Sequence, residues 1–344
     1  MKRRAAVAVA VATALVAGAI RAHVVYGTAT LRGLVLESDF VASVRIVDAG
    51  TEPSLQEPIV VAEPVEMIKG SPVDGRLRFA QHGHGVPLYR KDQRVVLFLQ
   101  RIERSRELGS LAGQVDWVSI QEGEALASDA GMVAALRAYA VLEKLAPEQQ
   151  PQALRRITVE LLASPDPRLA SSAVRDVALA RDAPIVSAAD LPELERIVAS
   201  RATPVGVRAG LLAELERRGL VLGPVEWAKL LRETRGPDRI GAVRAVAAHP
   251  SAPVTQELVA LLASDDLLLV SAAAISLGAP GNDAAVEPLA KLLASSEARV
   301  RMAAIRGLGR VGTSAAKARL AEAAAAHPDP ATRRHASAEA GRTP

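Results

Sequence analysis

The sequence predicts an α+β protein of several domains, in which a small β-barrel or β-sandwich precedes an α-solenoid of helix pairs. Three observations support this prediction. Short runs of alternating apolar residues lie between residues 40 and 122, and a nearly constant repeat follows. Aromatic residues make up only 2% of the chain, and half of them lie between residues 40 and 98. We therefore expect a β domain at 23–125, a connecting helix and linker at 126–150, and a solenoid at 151–344.

The first residues resemble a secretory signal peptide. Lys2, Arg3 and Arg4 precede an uncharged apolar run over 5–20, and Ala22 offers a small residue for cleavage. The run is shorter than the roughly 20 residues that a membrane-spanning helix needs. We expect residues 1–22 to be removed and the product to be periplasmic or extracellular. The alternative is an uncleaved N-terminal anchor, which would be the protein's only attachment to a membrane.

Charge and cysteine content exclude several classes of function. The chain has 42 basic and 38 acidic residues, and residues 1–22 hold four of the basic ones and none of the acidic ones. The processed chain is therefore formally neutral, and nothing in its net charge favours a nucleic-acid partner. The absence of cysteine excludes disulfides and thiolate metal sites.

Five β-strands are expected in the first half of the processed chain. Each run is bounded by turn-forming residues, and a short helix over the sequence LRGLVLESD is expected before the first strand. The predicted strands are 40–47, 59–68, 76–80, 94–99 and 115–120, with Pro64 interrupting the second. Five short strands in about 80 residues predict a compact barrel or sandwich.

The rest of the chain repeats every 31 to 36 residues. The string LLAS occurs at 161–164, 261–264 and 292–295, and related strings place six units at starts 161, 197, 230, 261, 292 and 324. A constant period of this length is typical of a solenoid of stacked helix pairs. In each unit the apolar string should end the first helix. Asp166 and Asp329 should cap the second helix of their units, with Pro167 and Pro330 in its first turn.

The second helices show one apolar stripe each. The stripe predicted to face the core comprises Val270, Ala274 and Ile275 in one unit and Val300, Ala304 and Ile305 in the next. Arg301 and Arg306 should then face solvent or a partner. The sequence GLGRVG at 307–312 fits the G-x-G-x-x-G pattern of dinucleotide sites, but it falls at the end of a helix rather than between a strand and a helix.

These second helices resemble HEAT repeats of the short bacterial kind. VRMAAIRGLG at 300–309 and VSAAAISLG at 270–278 carry the resemblance, which extends over roughly residues 150–340. It implies an interaction surface for a protein or another macromolecule, with Arg208, Arg301 and Arg306 as candidate partner-binding residues. A few relatives attach pigments, but the resemblance implies no catalytic motif.

The β region is similar, in MIKG and the run VVLFL, to the OB-like domains of netrin modules and tissue inhibitors of metalloproteases. Those inhibitors block a metal with an N-terminal cysteine, which this chain does not have. A metal site of its own is the alternative. His82 and His84 in HGHG, together with His23 as the new N-terminus after cleavage, would supply nitrogen ligands suited to copper or zinc. The other interpretation of HGHG is a glycine-rich loop with two incidental histidines and no cofactor.

The sequence contains no recognisable catalytic motif: G-x-S-x-G, H-E-x-x-H and G-K-[ST] are all missing. His249 and His327 precede prolines at helix ends, where we expect them to hydrogen-bond to carbonyl groups. We therefore predict an exported, non-enzymatic binding or scaffold protein. The alternative is a metal-binding or inhibitory β domain that uses the solenoid as a docking arm.

Overall fold

The computed structural model describes the chain in segments. They are residues 30–50, 58–72, 75–81, 88–105, 108, 111–120, 125–180, 183–220 and 224–341. The chain forms two compact units, Met1–Leu161 with Arg175–Ile185 and Leu162–Val174 with Val186–Pro344. The first unit contains a β-barrel and the second contains repeated helix pairs, as the predicted α+β class requires.

The five predicted strands close into a barrel rather than a sandwich. They are β1 Phe40–Asp48, β2 Ile59–Lys69, β3 Leu77–Ala80, β4 Arg94–Arg101 and β5 Trp117–Ser119. The strand order is β1-β2-β3-β5-β4, with β4 closing onto β1. All neighbouring strands are antiparallel except β3 and β5, which are parallel.

Apolar side chains at alternate positions along the strands fill the interior of the barrel. Inward-facing side chains from β1 to β5 form one buried cluster, and Phe40 packs against Trp117 with 5.4 Å between ring centroids. Tyr89, which precedes β4, is also buried there, edge-on to Phe79 at 5.6 Å. A five-stranded barrel of this size is filled by its own side chains.

Pro64 does not end β2, because the strand bulges beside it. Ser43 of β1 pairs with Glu66 and Val44 pairs with Pro64, so Val65 has no partner in the ladder. Val65 is 53% exposed. A bulge is one of the few places in a sheet that accept proline, because the ladder there needs no hydrogen bond from that residue.

Two helical segments lie against the barrel within the first unit. Helix α1, Leu31–Glu37, is the predicted short helix, and the Thr30 side chain caps it. Residues 126–128 run beside β4, where the N–H of Val96 donates to the Leu126 carbonyl at 2.9 Å. Helix α2, Ala130–Leu142, follows, and its Arg137 pairs with Glu66 of β2. The expected connecting segment is therefore hydrogen-bonded to the barrel.

Six helix pairs follow in the described residues. The first helices of the pairs are α3 Gln150–Leu162, α5 Leu191–Ala199, α7 Pro224–Glu233, α9 Ala252–Leu261, α11 Val286–Leu292 and α13 Ser314–Ala326. The second helices are α4 Pro167–Leu179, α6 Val205–Arg217, α8 Arg239–Val246, α10 Leu267–Ser276, α12 Ala298–Val311 and α14 Pro330–Ala340. Each apolar string of the sequence repeat ends a first helix, as predicted. None of the helices in the described residues is long and apolar enough to cross a membrane.

The predicted caps are present at the starts of two second helices. The Asp166 carboxylate accepts the N–H of Arg168 at 2.9 Å, and the Asp329 carboxylate accepts those of Ala331 and Thr332, each at 3.2 Å. Pro167 and Pro330 begin the two helices. A proline there has no N–H to satisfy, and its ring fixes a helical φ.

The predicted core stripe is buried, with one exception. Val270, Ala274, Val300, Ala304 and Ile305 are at most 3% exposed, whereas Ile275 is half-buried.

Gly307 lies inside α12, where an added Cβ would be 2.5 Å from the Ala274 carbonyl oxygen of α10. Gly312 ends the helix with φ of +68°. The GLGRVG sequence thus serves helix packing and helix termination, as its position predicted.

Candidate functional site

The second unit has two layers of helices. The second helices α6, α8, α10, α12 and α14 pack side by side in that order, and we call them the second-helix layer. Each lies against the first helix of its own pair, and α7 with α9 and α11 with α13 pack side by side in the other layer. Within the described residues, the second helices keep exposed side chains on the side away from the first helices, among them Arg244, Leu268 and Arg306.

Arg301 is buried, which contradicts its predicted exposure. It is 9% exposed, and its Nε donates to Thr332 Oγ1 at 3.0 Å. Its Nη1 donates to the carbonyls of Ser295 and Ser296 at 2.9 and 2.8 Å, and its Nη2 lies 2.9 Å from Asp329 Oδ2. The guanidinium group thereby hydrogen-bonds both to the residues that follow α11 and to the start of α14. Its first role is to join consecutive helix pairs.

Arg208 is buried in the same way, at 4% exposure in α6. Its Nε donates to the Val198 carbonyl near the end of α5, and its Nη2 lies 3.3 Å from Glu233 Oε2 at the end of α7. A buried guanidinium needs such partners, because leaving a charge unpaired costs several kcal/mol. No local sequence signal distinguishes Arg208 and Arg301 from solvated arginines.

Arg306 is exposed on α12, as predicted. Arg310, one turn further on, is also exposed, and its Nη1 donates to the Ile275 carbonyl of α10 at 3.2 Å. Leu268 of α10 is 52% exposed on the uncovered side of its helix. The second-helix layer therefore presents both cationic and apolar side chains.

His249 takes part in a cluster that sequence reasoning missed. Its Nδ1 lies 2.6 Å from Glu216 Oε2, and Glu216 Oε1 accepts the indole N–H of Trp227 at 2.6 Å. The imidazole stacks on the indole with 3.9 Å between centroids and 15° between planes. His249 thus bonds to a carboxylate and not to the carbonyl that we expected. Three residues 11 to 33 positions apart give no local sequence signal, and a lone tryptophan in an aromatic-poor region was the single hint.

His327 does bond to a carbonyl, as predicted. Its Nε2 lies 2.9 Å from the Leu293 carbonyl, and its Nδ1 accepts the N–H of Asp329 at 3.1 Å. Because Nδ1 accepts this hydrogen bond, Nε2 is the ring nitrogen placed to donate to the Leu293 carbonyl. It borders a groove of about 820 Å³ between α11 and α13, where Arg319 bridges Glu287 and Glu322 at 2.6 and 2.9 Å.

A buried polar pair lies in the first unit. The Tyr139 hydroxyl donates to Asp176 Oδ2 at 2.8 Å, and both residues are at most 3% exposed. Burial raises the pKa of Asp176, although hydrogen bonds from Thr30 and Tyr139 oppose that rise. Burial, followed by the charge of Asp176, raises the pKa of Tyr139. The pair is enclosed, so we interpret it as structural.

The candidate metal ligands His23, His82 and His84 lie outside the described residues. Within the part of the chain that the structure describes, no three His, Asp or Glu side chains come close enough to share a metal ion. The copper or zinc site stays a prediction from the sequence.

Comparison with known proteins supports a HEAT-like repeat. The family model for HEAT repeats matches residues 255–342, and no curated protein matches the chain. One similar structure is human deoxyhypusine hydroxylase in complex with glycerol, 19% identical over 62% of this chain and 79% of that one, with a TM-score of 0.30. An engineered protein is 21% identical over 62% of this chain and 64% of its own, with a TM-score of 0.37.

Computationally designed armadillo repeat proteins for modular peptide recognition are 17% identical over 58% of this chain and 94% of theirs, with a TM-score of 0.29. The sequence match and the helix pairs fall on the same stretch of chain. The helix pairs from α9 to α14 form a HEAT-like solenoid.

Proposed function

We propose that the protein is an exported, non-enzymatic scaffold that binds a protein partner in the cell envelope or outside the cell. The uncovered face of the second-helix layer is the observation that carries the proposal. Arg306 and Leu268 lie exposed on it in adjacent helices. Stacked repeats bury their cores between neighbours and leave such faces for binding.

Export is the part of the proposal that rests on the sequence of residues 1–22. Intact-mass measurement of the protein from the cell envelope and from the medium tests it. A product beginning at His23 supports export, and a full-length product in the cytoplasm contradicts it.

Photo-crosslinking tests the binding surface directly. A photoreactive amino acid at Ala272 of α10 should give covalent adducts with a protein partner, because this position lies on the half-exposed face of the second-helix layer. The matched control is the same amino acid at Ala318, an exposed position of the first helix α13. Equal adducts from both positions, or none from Ala272, would contradict the proposed surface.

The alternative function belongs to the barrel. The strand order β1-β2-β3-β5-β4, closed by β4 and β1, is the observation that favours an OB-like module of the netrin type. In this alternative the barrel binds a metal through His82 and His84 or inhibits a partner enzyme, and the helix pairs dock it.

A further inference from the structure

The two layers of the second unit differ sharply in charge from residue 224 onward. The four first helices α7, α9, α11 and α13 carry five acidic and five basic residues. The four second helices α8, α10, α12 and α14 carry eight arginines and one acid, Glu339. Five of these arginines are exposed, whereas Arg301 is buried and paired with Asp329, so the second helices carry an excess of positive charge that the net charge conceals.

The cations of the first-helix layer are largely neutralised within the protein. Arg232 lies 2.7 Å from Glu257, and Arg319 lies within 3 Å of both Glu287 and Glu322. On the other layer, Arg244 of α8 and Arg306 of α12 are exposed and form no ion pair with a described residue. Their charges remain available to a ligand.

Acidic residues lie mainly at the amino ends of the second helices, where Asp238 precedes α8, Asp265 precedes α10 and Glu297 precedes α12. Asp266 and Asp329 cap the amino ends of α10 and α14, so their carboxylates serve backbone N–H groups at one rim. Glu339 lies at the far end of α14, where it approaches Gly309 of α12. The middle of the face, between α8 and α12, has arginines on both sides of an uncharged helix.

That uncharged helix is α10, whose outer stripe is apolar. Leu268 is 52% exposed, and Ala272 and Ile275 are half-buried along the same face. The order across the layer is cationic on α8, apolar on α10 and cationic on α12. Neighbouring helices lie about 8–10 Å apart, so an extended peptide at about 3.3 Å per residue crosses from α8 to α12 in roughly six residues.

We infer that the second-helix layer binds an extended acidic peptide segment in which two acidic clusters flank aliphatic residues. This inference rests on the proposed function and specifies the chemistry of its partner. The carboxylates would pair with Arg244 on one side and Arg306 on the other, and the aliphatic side chains would cover Leu268. A nucleic acid fits less well, because the stripes named on α8, α10 and α12 contain no aromatic residue on which bases could stack.

Fluorescence anisotropy with a labelled synthetic peptide, Glu-Glu-Ala-Leu-Leu-Ala-Glu-Glu, tests the inference on the purified protein. Binding should weaken as salt increases. Arg244→Glu and Arg306→Glu should each weaken it about tenfold, since each turns one ion pair into a repulsion. Lys291→Glu, the same charge reversal at an exposed site of the first helix α11, should leave binding unchanged. Circular dichroism of each variant confirms that it is folded.

Three results would overturn the inference: unchanged binding by both arginine variants, equal binding of the peptide with lysine for glutamate, or tighter binding of a single-stranded oligonucleotide or of anionic phospholipid vesicles. If the acidic peptide does not bind but the photoreactive group at Ala272 still yields protein adducts, the scaffold function stands and the acidic-partner inference is wrong. Absence of both signals rejects both.

Discussion

The Arg301 guanidinium and the Asp329 carboxylate meet across consecutive helix pairs, with 2.9 Å between Nη2 and Oδ2. Asp329 also caps α14 through the N–H groups of Ala331 and Thr332. One carboxylate therefore fixes the start of α14 and accepts a donor from α12. This arrangement makes Arg301 part of the stabilising contacts between repeats.

Arg301→Ala should lower the free energy of unfolding of the helical unit by about 2–4 kcal/mol. The substitution removes a buried guanidinium that donates to four residues, and it takes these hydrogen bonds away from the Ser295 and Ser296 carbonyls. Arg306→Ala, at an exposed position of the same helix, should change stability by no more than about 0.5 kcal/mol. Urea denaturation followed by far-UV circular dichroism measures both, and similar losses for the two variants would contradict the assignment.

Asp329 should make the helical unit sensitive to acid. The Thr332 hydroxyl and then the Arg301 guanidinium hold the pKa of this carboxyl well below its usual range. Because the folded pKa is the lower one, the stabilisation is present above about pH 4 and is lost as the pH falls further. The urea midpoint should fall less steeply with acid in Asp329→Asn than in the natural protein. Identical slopes would show that Asp329 does not contribute.

Asp176 should have the opposite pH dependence in the first unit. Burial raises its pKa, so the protonated acid is favoured in the folded state, and its stabilising effect is lost as the pH rises through the folded pKa. Stability should therefore decline less in Asp176→Asn as the pH rises above about 4. Tyr139→Phe removes a donor to the carboxylate and should cost about 1–3 kcal/mol at pH 7. A pH series of urea denaturation checks both variants; a stability gain in Tyr139→Phe would reject the pairing.

Val300→Asp should damage the C-terminal repeats. Val300 is 2% exposed, and a carboxylate there would cost several kcal/mol. In a linear array each pair is supported mainly by its neighbours, so protection should be lost in α12–α14 and largely kept in the barrel. Hydrogen exchange measured by mass spectrometry resolves the two regions. Equal loss of protection in both would contradict the proposed architecture.

His82→Ala and His84→Ala should leave folding and partner binding unchanged if HGHG is a loop without a cofactor. Elemental analysis of the purified protein after incubation with copper or zinc checks this expectation. Stoichiometric metal that disappears in the double variant would instead favour the metal-binding alternative.

The sequence by itself determined the elements and their order. The bounds of the five strands, β1 to β5, differ by only a few residues from those of the predicted runs. Each repeat string ends a first helix. Apolar alternation, apolar helical stripes and proline or aspartate at helix starts are local signals, because they depend on a residue and its near neighbours.

Only the tertiary structure decided which polar side chains are buried and which remain free. Arg301 and Arg306 lie in one helix and look alike in the sequence, yet Arg301 meets acceptors from α11 and α14 while Arg306 meets none of the described carboxylates. The same holds for His249, whose partner Glu216 is 33 residues away. Such pairings depend on how successive helices are placed in space, and a residue's own neighbours in the chain do not encode that placement.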